Sequence, residues 1–160
     1  MKNADICDRF IERVSICEQE FHTYGNRKSF SGPIETVRVF EDNVLVVKAL
    51  ESIPEGSVLV VDGGGSKKCA LMGDRLAGIA VTRNLAGVII YGCIRDCAEI
   101  DEMDLGVRAL GTNPKKSRKD GKGHRNICLY FGGIEWHAGD YAYCDEDGIL
   151  VAKEKLPEIE

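Results

Sequence analysis

Two short segments of this chain hold the residue types best suited to chemistry: Gly73-Asp74-Arg75-Leu76 and, with twenty residues between Asp74 and Arg95, the pair Arg95-Asp96. An arginine presents a planar guanidinium fork that matches a carboxylate. An adjacent aspartate offers hard oxygens suited to Mg2+ or Mn2+, ions that keep most of their waters when protein-bound. Backbone N–H groups in the Gly73 turn can face an anion, with a helix-terminus gain of about 0.3–1 kcal/mol per favourable charge. An Arg-Asp pair following a strand is, by itself, more often a salt bridge or a cap. The chemical reading therefore requires the fold to bring both segments to one cleft.

The other motifs carry less. Asp62-Gly63-Gly64-Gly65-Ser66-Lys67-Lys68 has the glycines and lysines of a phosphate loop but neither the GxxxxGK[ST] nor the GxGxxG spacing. These glycines are read as a tight turn and a close backbone approach. Asp145-Glu146-Asp147-Gly148 lacks the remainder of a calcium loop and reads as a turn. His22, His124 and His137 stand isolated in the sequence, and no serine or cysteine is placed beside an evident base, so covalent catalysis is disfavoured. Trp136 and the tyrosines Tyr91, Tyr130, Tyr141 and Tyr143 are expected to pack in the core or between subunits. The seven cysteines form no CxxC pair, which fits a reducing compartment, and Cys93 and Cys97 read as small buried hydrophobes rather than zinc ligands.

The elements that must position Asp74, Arg95 and Asp96 follow from periodicity. Residues 5–20 have roughly helical spacing with Asp5 as a candidate cap, 34–40 alternate as a strand, and 44–50 can start a short helix. Residues 57–61 and 87–91 are short, β-branched apolar runs of the kind buried on both faces of a sheet, and the stretch between 70 and 84 has helical spacing. Strand, glycine turn, helix and strand make a right-handed βαβ unit, whose ligands lie beyond the carboxyl ends of its strands. That rule points to 63–66 and 92–96. Downstream, 107–110, 127–131, 141–144 and 149–152 read as strands, with Asp147-Gly148 as a hairpin signal and a tail from Glu154 that frays or reaches a neighbouring subunit.

A chain of 160 residues, 44% hydrophobic and 29% charged, is expected to fold as one α/β domain spanning 1–160 with a packed core. No apolar run approaches the roughly eighteen residues of a membrane span, so the expectation is an untargeted, cytoplasmic protein without membrane contact. Net charge is −5, yet Lys115, Lys116, Arg118, Lys119, Lys122 and Arg125 face a single acid, Asp120. The segment can attract phosphate, but it has no aromatic residue for base stacking, and Gly121 and Gly123 suggest a mobile, solvated loop. Direct nucleic-acid binding is disfavoured.

The pattern Val60-Val61-Asp62-Gly63-Gly64-Gly65-Ser66, Ala70, Gly73-Asp74, Leu76-Ala77, Gly87, Tyr91-Gly92-Cys93-Ile94-Arg95-Asp96, Phe131-Gly132-Gly133 and Gly139-Asp140 resembles the family of the regulator of ribonuclease E activity A. Relatives in that family include metal-dependent 4-hydroxy-4-methyl-2-oxoglutarate aldolases. The likeness extends to Gly25, Ser29-Phe30, Phe40-Glu41-Asp42-Asn43 and Asp147-Gly148-Ile149. It implies a swivelling β/β/α sandwich assembled as a homotrimer. It also implies roles: Gly73, Asp74, Arg75 and Leu76 hold substrate, Arg95 binds its carboxylate, Asp96 holds a divalent cation, and Asp74 acts through the cation's water shell. The bacterial regulator lacks the metal aspartate; Asp96 is present here.

Family aldolases use a glutamate from a neighbouring subunit, for which Glu154, Glu158 and Glu160 are candidates. The resemblance thus implies a class II aldolase that cleaves a small 4-hydroxy-2-oxo diacid to pyruvate, with oxaloacetate decarboxylation as a side activity. The competing expectation is a non-catalytic regulator that binds a ribonuclease or an RNA helicase.

Overall fold

Successive residues of a strand face opposite sides of its sheet, and the central strands of this protein bury both sides. In the computed structural model, which describes residues 1–159, Val58, Val60 and Ile89 join one core, while Leu59, Val61, Val88 and Ile90 join another. Those strands lie in a ten-stranded mixed sheet.

The chain enters through α1 (Asn3–Phe10), a 3-10 turn over Ile11–Arg13, β1 (Val14–Ile16), β2 (His22–Tyr24) and β3 (Phe30–Arg38). Three crossovers then follow: α2 (Val44–Ser52) leads to β4 (Val58–Asp62); β5 (Ala70–Met72) and α3 (Asp74–Thr82) lead to β6 (Gly87–Ile94); α4 (Cys97–Asp101) leads to β7 (Gly106–Thr112). Strands β3, β4, β6 and β7 are parallel neighbours in that order, and β5 adds in parallel to β6. The chain closes with β8 (His124–Arg125), the two-stranded β9 (Leu129–Phe131) and β10 (Ile134–Trp136), then β11 (Tyr141–Asp145) and β12 (Gly148–Ala152). Eight strands run in the order β1-β12-β11-β3-β4-β6-β7-β2, with β5 beside β6 and β8 beside β3 completing the ten.

Helices α2, α3 and α4 supply Val46, Ala49, Leu50, Leu76, Ala77, Ala80 and Ile100 to one core. The β9–β10 hairpin closes the opposite core with Leu129, Phe131, Ile134 and Trp136. Phe131 stacks on both Tyr91 and Trp136, with ring centroids 4.9 and 4.7 Å apart.

Several sequence expectations are corrected. The opening helix stops at Phe10 because Val14-Ser15-Ile16 pairs with β12, and Lys2, not Asp5, holds the N-cap position. The helical spacing from residue 70 begins as β5, since Ala70 and Met72 pair with β6 and Gly73 is extended; the helix starts at Asp74. Strand β6 continues to Ile94, and the short elements β2, α4, β8 and β10 had no clear periodicity to announce them. Leu156 is buried and its N–H donates to the Tyr143 hydroxyl at 2.7 Å, so this part of the tail packs on its own chain. Trp136 is a core residue, whereas Tyr130 is 69% exposed. No helix among the described residues is long and apolar enough to cross a membrane.

Candidate functional site

The candidate site forms at the carboxyl end of β6, where ligands of parallel sheets collect. Arg95 follows the strand directly, and its N–H donates to the Met72 carbonyl at 2.9 Å, which ties the end of β6 to the end of β5. Asp96 is left-handed (φ 60°, ψ 39°) and caps α4; its carbonyl accepts the Ile100 N–H at 2.9 Å. This turn aims the side chain at the start of α3. There Asp96 Oδ2 accepts the Asp74 N–H at 3.0 Å. The anion at that helix terminus is thus the protein's own carboxylate, favoured by the terminal N–H and the helix dipole.

Glycine at position 73 is dictated by this approach. A Cβ there would lie 2.7 Å from Asp96 Oδ2, 3.3 Å from Arg95 Cγ and 3.4 Å from Arg95 Nε. Arg95 Nη1 reaches the Pro114 carbonyl at 3.4 Å, linking the guanidinium to the segment after β7.

That segment is exposed and solvated, as expected, but its backbone is pinned rather than mobile. The buried Asp42 carboxylate accepts N–H groups from Val44 (3.1 Å) and, through its other oxygen, from Asp120 (2.8 Å), Gly121 (3.0 Å) and Lys122 (3.4 Å). Burial pushes the Asp42 carboxyl up, but these four donors outweigh it and hold the group below the ordinary carboxylate value. Ala70 N–H donates to the Lys115 carbonyl at 2.8 Å, Arg118 N–H to the Glu41 carbonyl at 2.8 Å, and Ser117 is buried. Lys119 Nζ donates to Asn43 Oδ1 at 3.0 Å. The basic stretch is exposed along most of its side chains yet fixed in its backbone.

A cavity of about 140 Å³ results. All six residues singled out in the sequence, Gly73, Asp74, Arg75, Leu76, Arg95 and Asp96, line it. So do Lys116 and Lys119 from the basic stretch, which sequence reasoning left outside the site. Their signal was the local charge excess; their position depends on Asp42, some 75 residues earlier in the chain, and could not be read from spacing.

The remaining candidates separate from this cavity. Gly63 and Gly65 both donate N–H groups to the Tyr91 carbonyl (3.0 and 3.2 Å), and a Cβ at Gly63 would meet Leu71 Cδ1 at 2.6 Å. The turn serves close backbone approach, and those donors are not free for a phosphate. Cys93 is buried, and burial pushes its thiol up. Glu154 pairs with Arg13 at 3.3 Å, Glu158 lines a separate cleft with Tyr143, and Glu160 lies outside the described residues. Two expectations fail on the β9–β10 hairpin: His137 is not isolated, and Cys128 does have a base beside it, with Sγ 3.6 Å from His137 Nε2.

A large mixed sheet with helices over one face, and a polar cavity at the carboxyl end of its parallel strands, define an α/β protein. The RraA-like family model, described as Aldolase/RraA, matches residues 3–151, and the chain belongs to that family. A Bacillus cereus protein with the provisional name 4-hydroxy-4-methyl-2-oxoglutarate aldolase is 51% identical over 155 residues, covering 97% of this chain and 98% of the relative. An Arabidopsis thaliana protein with the same provisional name, numbered 3, is 47% identical over 158 residues, covering 96% and 95%.

Among solved structures, the RNA-processing inhibitor RraA from Thermus thermophilis superposes with a TM-score of 0.95 at 40% identity, covering 100% of this chain and 97% of that one. A Geobacillus kaustophilus structure described as an S-adenosylmethionine:2-dimethylmenaquinone methyltransferase superposes with a TM-score of 0.97 at 59% identity, covering 98% and 97%.

Proposed function

We propose that this protein is a divalent-metal-dependent lyase that cleaves 4-hydroxy-4-methyl-2-oxoglutarate or a related 4-hydroxy-2-oxo diacid to pyruvate, and that it decarboxylates oxaloacetate in the same cavity. The observation that carries this reading is the convergence of Asp96 Oδ2, the Asp74 N–H and the Arg95 side chain around Gly73. The names of the relatives support the aldolase class.

The residues fit a hard cation. Asp96 spends one lone pair on the Asp74 N–H and keeps the rest of its carboxylate for a ligand, and the missing side chain at Gly73 lets that carboxylate approach the start of α3. One carboxylate ligand with a second carboxylate nearby suits Mg2+ or Mn2+, which retain waters. Bound beside Asp96, such an ion supplies Lewis-acid stabilisation of the negative charge that forms on the substrate's 2-oxo oxygen.

The chain's own groups perform the rest. Arg95 binds the carboxylate next to the 2-oxo group and fixes its orientation. Lys116 and Lys119, which line the same cavity, supply positive charge for the second carboxylate of a diacid. Asp74 accepts the proton of the 4-hydroxyl through an intervening water. As that proton leaves, the C3–C4 bond breaks, its electron pair passes to the enolate of pyruvate, and C4 becomes the carbonyl of the second product. Oxaloacetate loses CO2 to give the same enolate, which in both reactions takes a proton at C3 from water and leaves as pyruvate, so one stabilised intermediate accounts for both activities.

The assembly we propose is a homotrimer, as the family resemblance implies. Purified protein is incubated with oxaloacetate and Mg2+, with and without chelator, and pyruvate is measured. Metal-dependent release is expected; its absence overturns the lyase reading. A second reading, a regulator that binds a ribonuclease or RNA helicase, is favoured by the likeness to the Thermus inhibitor. It predicts capture of such a partner by wild type and Asp96→Ala alike.

A further inference from the structure

The β9–β10 hairpin carries a second set of candidate ligands on the side away from the helices. Its register pairs Leu129 with Trp136, Tyr130 with Glu135 and Phe131 with Ile134. Paired residues in an antiparallel ladder share a face, and successive pairs alternate. The inward pairs are buried in the core, while Tyr130 and Glu135 are exposed. One further step of this register sets Cys128 opposite His137 on the exposed side.

The functional atoms converge. Cys128 Sγ lies 3.6 Å from His137 Nε2, and Glu135 Oε2 lies 3.5 Å from the same nitrogen. All three ligand atoms fall within 4.8 Å of one another. Around a tetrahedral Zn2+, with bonds of ~2.3 Å to sulfur and ~2.0–2.1 Å to nitrogen or oxygen, neighbouring ligand atoms are about 3.3–3.6 Å apart. The two separations at His137 match those edges, and the third, between Cys128 and Glu135, lies within 4.8 Å. A thiolate, an imidazole and a carboxylate form a borderline-soft set that suits zinc and does not suit Mg2+.

The platform beneath is rigid. Trp136 is fully buried, its Nε1 donates to the Phe131 carbonyl at 3.1 Å, and Phe131 is stacked between two rings. We propose that Cys128, Glu135 and His137 bind one Zn2+-class ion, with the fourth position open to water. The site shares no residue with the Asp96 cavity and does not depend on the lyase reading.

The test uses Co2+ as the probe, added to the full chain after chelation and dialysis in a non-thiol reductant. Wild type is expected to develop a thiolate-to-cobalt charge-transfer band that saturates at one ion per chain and disappears when Zn2+ is added. Cys128→Ser abolishes the band, and His137→Ala weakens Co2+ affinity by at least about tenfold. Asp96→Ala retains it, which separates this ion from the one proposed for the cavity. All three substituted side chains are exposed or half-buried, and an unchanged far-UV spectrum establishes that the variants fold. Absence of a sulfur-to-cobalt band in wild type, or an equal band in Cys128→Ser, overturns the proposal.

Discussion

The Asp96 carboxylate accepts the backbone N–H of Asp74 at 3.0 Å, joining the end of β6 to the first turn of α3. The same carboxylate is thus a helix cap and the proposed metal ligand. Those two duties are separable by substitution. Asparagine at 96 keeps an oxygen acceptor and tolerates the left-handed backbone, so Asp96→Asn is expected to melt close to wild type while losing about 100-fold or more in kcat/KM. Asp96→Ala loses the cap and strains a φ of 60°, a combined cost of about 1–3 kcal/mol. Thermal melts alongside pyruvate release distinguish the two; equal melting temperatures refute the capping role.

Gly73→Ala tests the cradle without disturbing the fold. The backbone at 73 (φ −120°, ψ −163°) is extended and open to alanine. Its Cβ would nonetheless meet Asp96 Oδ2 at 2.7 Å. The carboxylate must move, and activity is expected to fall about 10–100-fold, with a stability loss of about 1 kcal/mol from the displaced cap. Retention of full activity would mean that Asp96 need not occupy its observed position.

How far the sequence reveals this arrangement depends on whether each contact is local. Buried apolar runs identified β4 and β6, and the Arg-Asp pair placed the cavity at the carboxyl end of β6, whereas the glycine turn after β4, to which the same rule pointed, does not line it. The break at Gly73 was hidden, because Ala70 to Met72 is apolar in either periodicity and only pairing with β6 makes it a strand. The basic stretch was misread for a similar reason: its order comes from Asp42, a contact across 78 residues for Asp120. Likewise, Cys128 and His137 are nine positions apart in the chain until the hairpin register brings them together.

Arg108 provides a test of the sheet's far edge. Its side chain is buried within β7 and lies 5.1 Å from the Phe30 ring, and it donates to the carbonyls of Lys28 (2.6 Å), Val107 (3.2 Å) and Asp145 (3.4 Å). Methionine fills much of the volume but satisfies none of those acceptors. Arg108→Met is expected to destabilise by about 2–4 kcal/mol, a fall of about 5–15 °C in melting temperature for a chain of this size. A change under about 2 °C would show that water replaces the lost donors.

Asp42 links acid stability to the site. Its carboxyl sits below the ordinary value in the folded protein because four N–H donors favour the charged form against burial. A depressed folded-state value contributes stability that is fully present above the unfolded value of about 3.9. That contribution is lost as pH falls through the folded-state value, when protonation removes the acceptor and frees the backbone of residues 120–122. Denaturant unfolding measured from pH 6 downward is therefore expected to weaken below about pH 4 in wild type, and less steeply in Asp42→Asn. The variant should also start about 2–4 kcal/mol lower at neutral pH, since a neutral amide cannot serve four donors as a carboxylate does. Because Lys116 and Lys119 reach the cavity on this backbone, Asp42→Asn is expected to raise KM for oxaloacetate more than it lowers kcat. Parallel acid limbs in the two proteins would remove Asp42 as the source of the pH dependence, and an unchanged KM would detach the basic stretch from substrate binding.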